Sequence, residues 1–329
     1  MSIVLVTGAS GFIGQHLVRR LAAEGVAVRG QARTNAALLK PLGCAEVFAA
    51  DLRDPAAMHA ATAGCDTVYH LAGKAHDMAL PLDAEAPYRA ANVEGTRNLL
   101  AGAVAGGVRR FVYFSSVKAM GEDHTGVSDE SAPLAPTTGY GRSKLEAERL
   151  VLDCGAREGL AVTCLRPPLV YGAGCKGNLL RMLAAIDRGV FPPLPELGNL
   201  RSVVHVGNLV EAALLAGTRP EASGQCYIVA DARPYSTRQL YELMCRGLGK
   251  RVPRWQVPLA ALRALARGGD LIGQASGRRF RFDSVALAKL AESERYSCAK
   301  IERELGYCPA LAFEDGLPEL IAWYRATRR

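Results

Sequence analysis

Val6-Thr7-Gly8-Ala9-Ser10-Gly11-Phe12-Ile13-Gly14 lies between an apolar run, residues 2–6, and an amphipathic one, residues 12–23. The first reads as a strand and the second as a helix. Three glycines, with two residues between each and the next, sit at the turn between them. Without Cβ atoms the backbone there can bend sharply and approach a pyrophosphate. The helix beyond offers free N–H groups and the positive end of its dipole. Glycines also make plain turns, so the triplet alone says little. Its place after an apolar strand and before an amphipathic helix points to a dinucleotide site on Gly8, Gly11, Phe12, Ile13 and Gly14.

Outward from this turn, strands at 26–31, 45–49, 67–70, 110–114 and 161–165 alternate with helical patterns. The longest helix spans 85–105, and another starts near Gly139. Strands spaced this way form βαβ units, hence an α/β, Rossmann-type, doubly wound parallel sheet. After Arg166 the texture changes. Residues 166–201 are rich in Pro and Gly with one helical segment, 179–188. Helices near 209–216, 237–248 and 300–305 and a strand at 226–229 follow. The chain thus reads as a dinucleotide-binding domain, 1–166, and a smaller, mostly helical substrate lobe, 167–329, with crossings between them. Doubly wound folds bind substrates at the carboxyl ends of the strands, where this lobe is expected.

The 329 residues are 49% hydrophobic, which suffices for a large core. Forty Lys and Arg against 32 Asp and Glu leave a formal charge of +8. The basic residues read as scattered and no nucleic-acid motif accompanies them. A solvated surface suited to an anionic ligand follows, not a nucleic-acid partner. Nine cysteines contain no Cys-x-x-Cys pair, and six histidines lack metal-ligand spacing, so a reduced, cytoplasmic protein without a metal is expected. No secretory signal precedes the first strand, and no run of about 18 uncharged apolar residues suggests a membrane span.

Tyr140-Gly141-Arg142-Ser143-Lys144 opens a helix, so Tyr140 and Lys144 share one face. A phenol ionises near pH 10, and a neighbouring ammonium and a positive nicotinamide ring favour phenolate. The pair can then pass a proton to or from a substrate oxygen while hydride moves on a nicotinamide. A surface tyrosine and lysine at chance spacing is the plainer reading. The second strand ends Val28-Arg29-Gly30-Gln31-Ala32-Arg33, with no carboxylate for the adenosine ribose. Arg33 can fork onto a 2′-phosphate, so NADP is favoured over NAD.

Taken together and in this order, the segments resemble the extended short-chain dehydrogenase/reductases, the NAD-dependent epimerase/dehydratase family. The resemblance covers nearly the whole chain. It implies cofactor contacts at Asp51 and Leu52, at Leu71, Ala72 and Gly73, at Asn92, and at Pro167 and Val170 within Arg166-Pro167-Pro168-Leu169-Val170-Tyr171-Gly172. Ser116 matches the family's catalytic Ser/Thr, counting back from Gly121. With Tyr140 and Lys144 it completes the implied proton-transfer set. Asn178-Leu179 and Arg201-Ser202-Val203-Val204-His205-Val206 resemble nucleotide-sugar segments, whose arginine meets a diphosphate. A helix N-cap is the alternative for Asn178. The family's second diphosphate arginine has no counterpart in Glu292-Ser293-Glu294-Arg295-Tyr296; Arg295, Arg278 or Arg279 are candidates. A homodimer through helices 85–105 and 139–157 is also implied.

Sugar 4,6-dehydratases in this family need an Asp-Glu pair where Val117 and Lys118 stand, which argues against dehydration. The stretch Ser115-Ser116-Val117-Lys118-Ala119-Met120-Gly121-Glu122 resembles bacterial reductases of UDP-4-keto-6-deoxy-N-acetylhexosamine from surface-polysaccharide biosynthesis, with Lys118 near the sugar. A UDP-sugar 4-epimerase with tightly held NAD is the alternative. A reductase of a hydrophobic, steroid-like ketone, lined by 257–265, is a third reading, and a non-enzymatic Rossmann scaffold a fourth.

Overall fold

A computed structural model describes residues 3–74, 84–121, 126–276 and 282–328. The strands are β1 (Ile3–Thr7), β2 (Ala27–Ala32), β3 (Glu46–Ala49), β4 (Cys65–His70), β5 (Arg110–Phe114), the short β6 (Val127–Ser128), β7 (Ala161–Arg166), the short β8 (Leu169–Tyr171) and β9 (Val203–His205), and β10 (Gln225–Ile228). Among the described residues, seven of them form one parallel sheet in the order β10-β7-β5-β4-β1-β2-β3. The winding reverses between β1 and β4. Thr7 and His70 end these paired strands side by side, and the chain leaves them in opposite directions, at the point where doubly wound sheets bind ligands.

Alternation explains why both faces are covered. In β1, Val4 and Val6 join one apolar cluster and Leu5 the other; in β5, Val112 and Phe114 part from Phe111 and Tyr113 in the same way. Helix α1 (Phe12–Ala23) and α7 (Val206–Thr218) cover the first face. Helices α2 (Pro55–Thr62), α4 (Gly95–Ala105) and α5 (Gly139–Glu158) cover the second. The expected helix 85–105 is α3 (Ala86–Arg89), a π-helical turn at Ala90–Glu94, and α4. Helix α2 went unread although Asp54 caps it, accepting from Ala57 N at 3.1 Å, and Pro55 opens its first turn.

The chain divides into two compact units that do not follow a single cut at 166. The first comprises 1–170, 204–230 and 296–310; the second comprises 171–203, 231–295 and 311–329. Residues 204–230 return to the first unit because α7 packs its Leu209, Val210, Ala212 and Ala213 into the same cluster as Leu17 and Val18 of α1, and β10 pairs with β7. The second unit contains α6 (Asn178–Asp187), α8 (Thr237–Gly247), α9 (Leu259–Ser276), α10 (Ser284–Ala291) and α12 (Phe313–Ala326), while α11 (Ala299–Leu305) belongs to the first. Buried Asn199 ties it together, donating to Thr237 Oγ1 at 2.8 Å and the Leu290 carbonyl at 3.0 Å. No helix among the described residues is long and apolar enough to cross a membrane.

Candidate active site

The glycine turn is as tight as its composition suggested. Gly8 has φ +65°, and a Cβ on it would stand 2.8 Å from Ala72 N; one on Gly14 would stand 2.3 Å from the Gly8 carbonyl. Gly11 begins α1 with no side chain capping its N–H groups, so they remain available to an anion. Gln31, a residue with no motif to mark it, fixes the turn: its Oε1 accepts from Gly8 N at 3.2 Å and its Nε2 donates to the Ala50 carbonyl at 2.6 Å. Leu71–Gly73 are held by a chain whose protons can be ordered. Thr96 donates to the Asn92 carbonyl at 2.6 Å, so it accepts from His70 Nε2–H at 2.9 Å. His70 Nδ1 then accepts from the Thr7 hydroxyl at 2.7 Å, and Thr7 Oγ1 accepts from Ala72 N at 3.2 Å. Burial keeps this imidazole neutral, pushing it down to about 3, with Lys144 adding to the effect.

Asn92 lies in the π-helical turn. It accepts from Lys74 N at 2.7 Å, donates to the Lys74 carbonyl at 3.1 Å and donates to Ser143 Oγ at 3.0 Å. Gly73 packs against it: a Cβ there would meet Asn92 Oδ1 at 2.6 Å. Leu52 is buried against Gly95. Arg33 is exposed and 3.9 Å from Asp51, whose carboxylate is forked by Arg53 at 2.9 and 3.0 Å and held at about 2, first by that bond.

Thr138 caps α5, accepting from Gly141 N at 3.1 Å, and so sets where Tyr140 and Lys144 emerge. Gly141 has a second use: a Cβ on it would lie 2.4 Å from the Lys118 carbonyl, so only glycine lets α5 touch the turn after Ser116. The side chains of Ser116 and Tyr140 are hydrogen-bonded. The Lys144 ammonium donates to the Phe114 carbonyl at 2.6 Å and lies 4.5 Å from the centre of the Tyr113 ring. Ser116, Tyr140, Lys144, Ser143 and Asn92 are thus brought together in the first unit. Lys144 and a bound nicotinamide ring are the groups expected to acidify Tyr140. Instead burial pushes the phenol up to about 12, only partly opposed by Ser116, and burial pushes Lys144 itself down to about 8. The ammonium is engaged with the Phe114 carbonyl and the Tyr113 ring, and the phenol stays protonated at neutral pH.

The residues fit a nicotinamide dinucleotide. The cradle at Gly8, Gly11 and Gly14 admits no Cβ, the start of α1 is uncapped, and Ser115 Oγ is buried without a hydrogen-bond partner near Lys144's helix. Val117 N donates to the Pro167 carbonyl at 3.2 Å, which joins the stretch containing Pro167 and Val170 to the Ser116 turn. Among the described residues, no group of three or more His, Cys, Asp or Glu could hold a metal.

In the second unit the picture is less simple. The N-cap of α6 is Gly177, at φ +109°, so Asn178 is not the cap considered for it; it is exposed on the first turn, while Leu179 is buried and can offer only main chain. Arg201 is already engaged: it donates to Glu294 Oε2 at 2.8 Å and to the Lys289 carbonyl. Arg278 and Arg279 lie outside the described residues. Within 257–265, Leu262 is in the core with Leu194 and Leu287, so that run does not line a pocket as a whole.

With this geometry in view, comparison with known families matches residues 4–230 to the NAD dependent epimerase/dehydratase family. The chain belongs to that family. It is 31% identical over 322 residues, 96% of this chain and 94% of the relative, to a 4-hydroxy-2-methyl-3-oxo-4-farnesyl-3,4-dihydroquinoline-1-oxide ketoreductase of Stigmatella aurantiaca. It is 31% identical to a UDP-glucose 4-epimerase of Vibrio cholerae, covering 78% of each chain. Among solved structures, a dTDP-glucose 4,6-dehydratase of Streptomyces venezuelae with NAD bound matches with a TM-score of 0.78 at 27% identity, over 99% of this chain and 98% of that one. Family members thus include oxidoreductases, epimerases and dehydratases, and this chain is an enzyme of an NAD-dependent family.

Proposed function

We propose that this enzyme is an NADPH-using 4-keto reductase of a nucleotide-activated sugar, best matched by a UDP-4-keto-6-deoxy-N-acetylhexosamine, serving surface-polysaccharide synthesis. The observation that carries the reading is the half-buried phenol of Tyr140, hydrogen-bonded to Ser116, which desolvation keeps protonated. A bound nicotinamide supplies or accepts the hydride. Ser116 orients the ketone oxygen, Tyr140 gives it a proton, and the Lys144 ammonium lowers the cost of the phenolate that remains. Val117 and Lys118 offer no carboxylic pair for eliminating water. Exposed Arg33 supports the 2′-phosphate preference, and Arg33→Asp is expected to lower kcat/KM for NADPH about tenfold or more while sparing NADH. Arg201 and Asn178 are the groups for the nucleotide, and a dimer through α4 and α5 goes with the same reading.

The deciding experiment incubates the enzyme with a UDP-4-keto sugar and NADPH, and separately with UDP-GlcNAc or UDP-glucose and NAD. Stoichiometric reduction supports the proposal. Interconversion of C4 epimers without net cofactor turnover would replace it with the epimerase reading.

One observation favours a second reading. Glu294 already neutralises Arg201, which suits an uncharged, hydrophobic ketone of the kind named for the Stigmatella relative. Millimolar UDP should raise the melting temperature if the nucleotide reading holds and leave it unchanged if the hydrophobic one does.

A further inference from the structure

Helix α9 is apolar on two opposite sides. Its inner side behaves as a surface helix should: Leu262 is 0% exposed and Ala266 1%, both packed with Leu194 and Leu287. At 100° per residue, Ala261, Ala264, Leu265, Leu271 and Ile272 fall on the other side. Leu265, Leu271 and Ile272 are 61%, 66% and 52% exposed. No charge interrupts this outer side. Exposed Arg263 and Arg267, one turn apart, border it. Trp255, 64% exposed, precedes the helix, and Val285, 42% exposed, opens the neighbouring α10. Singly exposed apolar residues are ordinary, but a face of large ones on one helix marks a surface that something covers.

Charge says what kind of surface. Residues 251–281 carry seven arginines against one aspartate, so most of the chain's +8 excess falls in this one stretch and is not scattered. The single aspartate, Asp270, is turned to Ser284, accepting from its backbone N–H at 3.0 Å. An apolar helix side with a tryptophan beside it and arginines along its border is the arrangement that lies in the headgroup layer of an anionic bilayer. A second copy of this chain is a poorer occupant, because pairing this side with itself would bring like-charged arginines together in a desolvated contact.

We propose that the outer side of α9 docks on an anionic phospholipid surface. Leu265, Leu271 and Ile272 enter the boundary between headgroups and acyl chains, Trp255 sits at headgroup level, and Arg263 and Arg267 meet the lipid phosphates. The contact is peripheral, since α9 is not apolar enough to span the membrane.

The test is flotation of the full-length enzyme with vesicles of phosphatidylglycerol and phosphatidylcholine, against phosphatidylcholine alone. Wild type should float with the anionic vesicles about tenfold better, with a blue shift of tryptophan fluorescence, and high salt should weaken the binding. Leu265→Glu with Ile272→Glu should abolish flotation while melting temperature and cofactor binding hold. Should that variant fail to fold, Arg263→Gln with Arg267→Gln should still weaken binding at least about fivefold. Failure of wild type to float, or flotation unchanged in the variants that fold, overturns the proposal. So does a dimer in sedimentation that the glutamate variant dissolves, which would assign the face to a second copy.

Discussion

Glu148 stands one helical turn beyond Lys144 and gives both carboxylate oxygens to Arg166, at 3.0 and 2.7 Å, with 1% and 4% of the two side chains exposed. The pair is sealed under Lys144, and its negative member is the main group opposing the desolvation of that lysine.

Glu148→Gln is therefore expected to do two things. Arg166 is left buried without its counter-charge, a loss of about 3–5 kcal/mol in denaturant unfolding. The support Glu148 gives the Lys144 ammonium also goes, so the alkaline limb of the pH profile for the proposed reduction moves to lower pH. A variant that is less stable but keeps the limb in place would make Glu148 a packing residue only.

The pH profile itself follows from two opposed shifts. Reduction needs the Tyr140 proton and the Lys144 charge. The first persists to about 12 and the second is lost as pH rises through about 8. We expect kcat/KM for reduction to fall above pH about 8, and Lys144→Arg to carry any remaining activity further into the alkaline range. Tyr140→Phe should lower turnover about a hundredfold or more. Retention of more than about a tenth of wild-type turnover would falsify the role given to Tyr140.

His70 predicts the acid behaviour. Its ring is neutral in the fold down to about 3, against an ordinary value of 6.5, so the unfolded chain binds the extra proton between those values. Its contribution to stability is whole above pH 6.5 and declines as pH falls toward 3, at about 1.4 kcal/mol per unit. Urea midpoints taken across this interval should show the slope in wild type and a shallower one in His70→Asn.

Gly141→Ala places a carbon 2.4 Å from the Lys118 carbonyl, and backbone cannot yield as a flexible side chain would. The expected result is a fall in kcat of about tenfold or more, with the glycine turn's affinity for dinucleotide little changed, since the displaced turn carries Ser116. Equal loss of both would indicate general unfolding, which circular dichroism would reveal.

Much of this was readable beforehand. The strand–glycine–helix start, the alternation of strands and helices, and the Tyr140/Lys144 spacing are local patterns, and local patterns survive in a sequence. Helix α12 was missed because Pro318 lies inside it, a residue that ordinarily ends a helix. The return of 204–230 to the first unit, the Glu148–Arg166 pair and the capture of Arg201 by Glu294 depend on which distant segments meet, and spacing along the chain carries no such information. The upward shift of Tyr140 in the protein alone is illegible in the sequence for the same reason: burial sets it, and burial is a tertiary property.

Strand β10 closes the edge beyond β7, and α7 covers one face of the sheet, yet both are encoded after the Pro- and Gly-rich stretch that follows β7. During synthesis the first 166 residues therefore leave the ribosome with a strand edge unpaired and one apolar face covered by α1 alone. That nascent half is a target for chaperones, and a fragment ending there should aggregate; recombinant dissection of this enzyme has to keep residues up to 230.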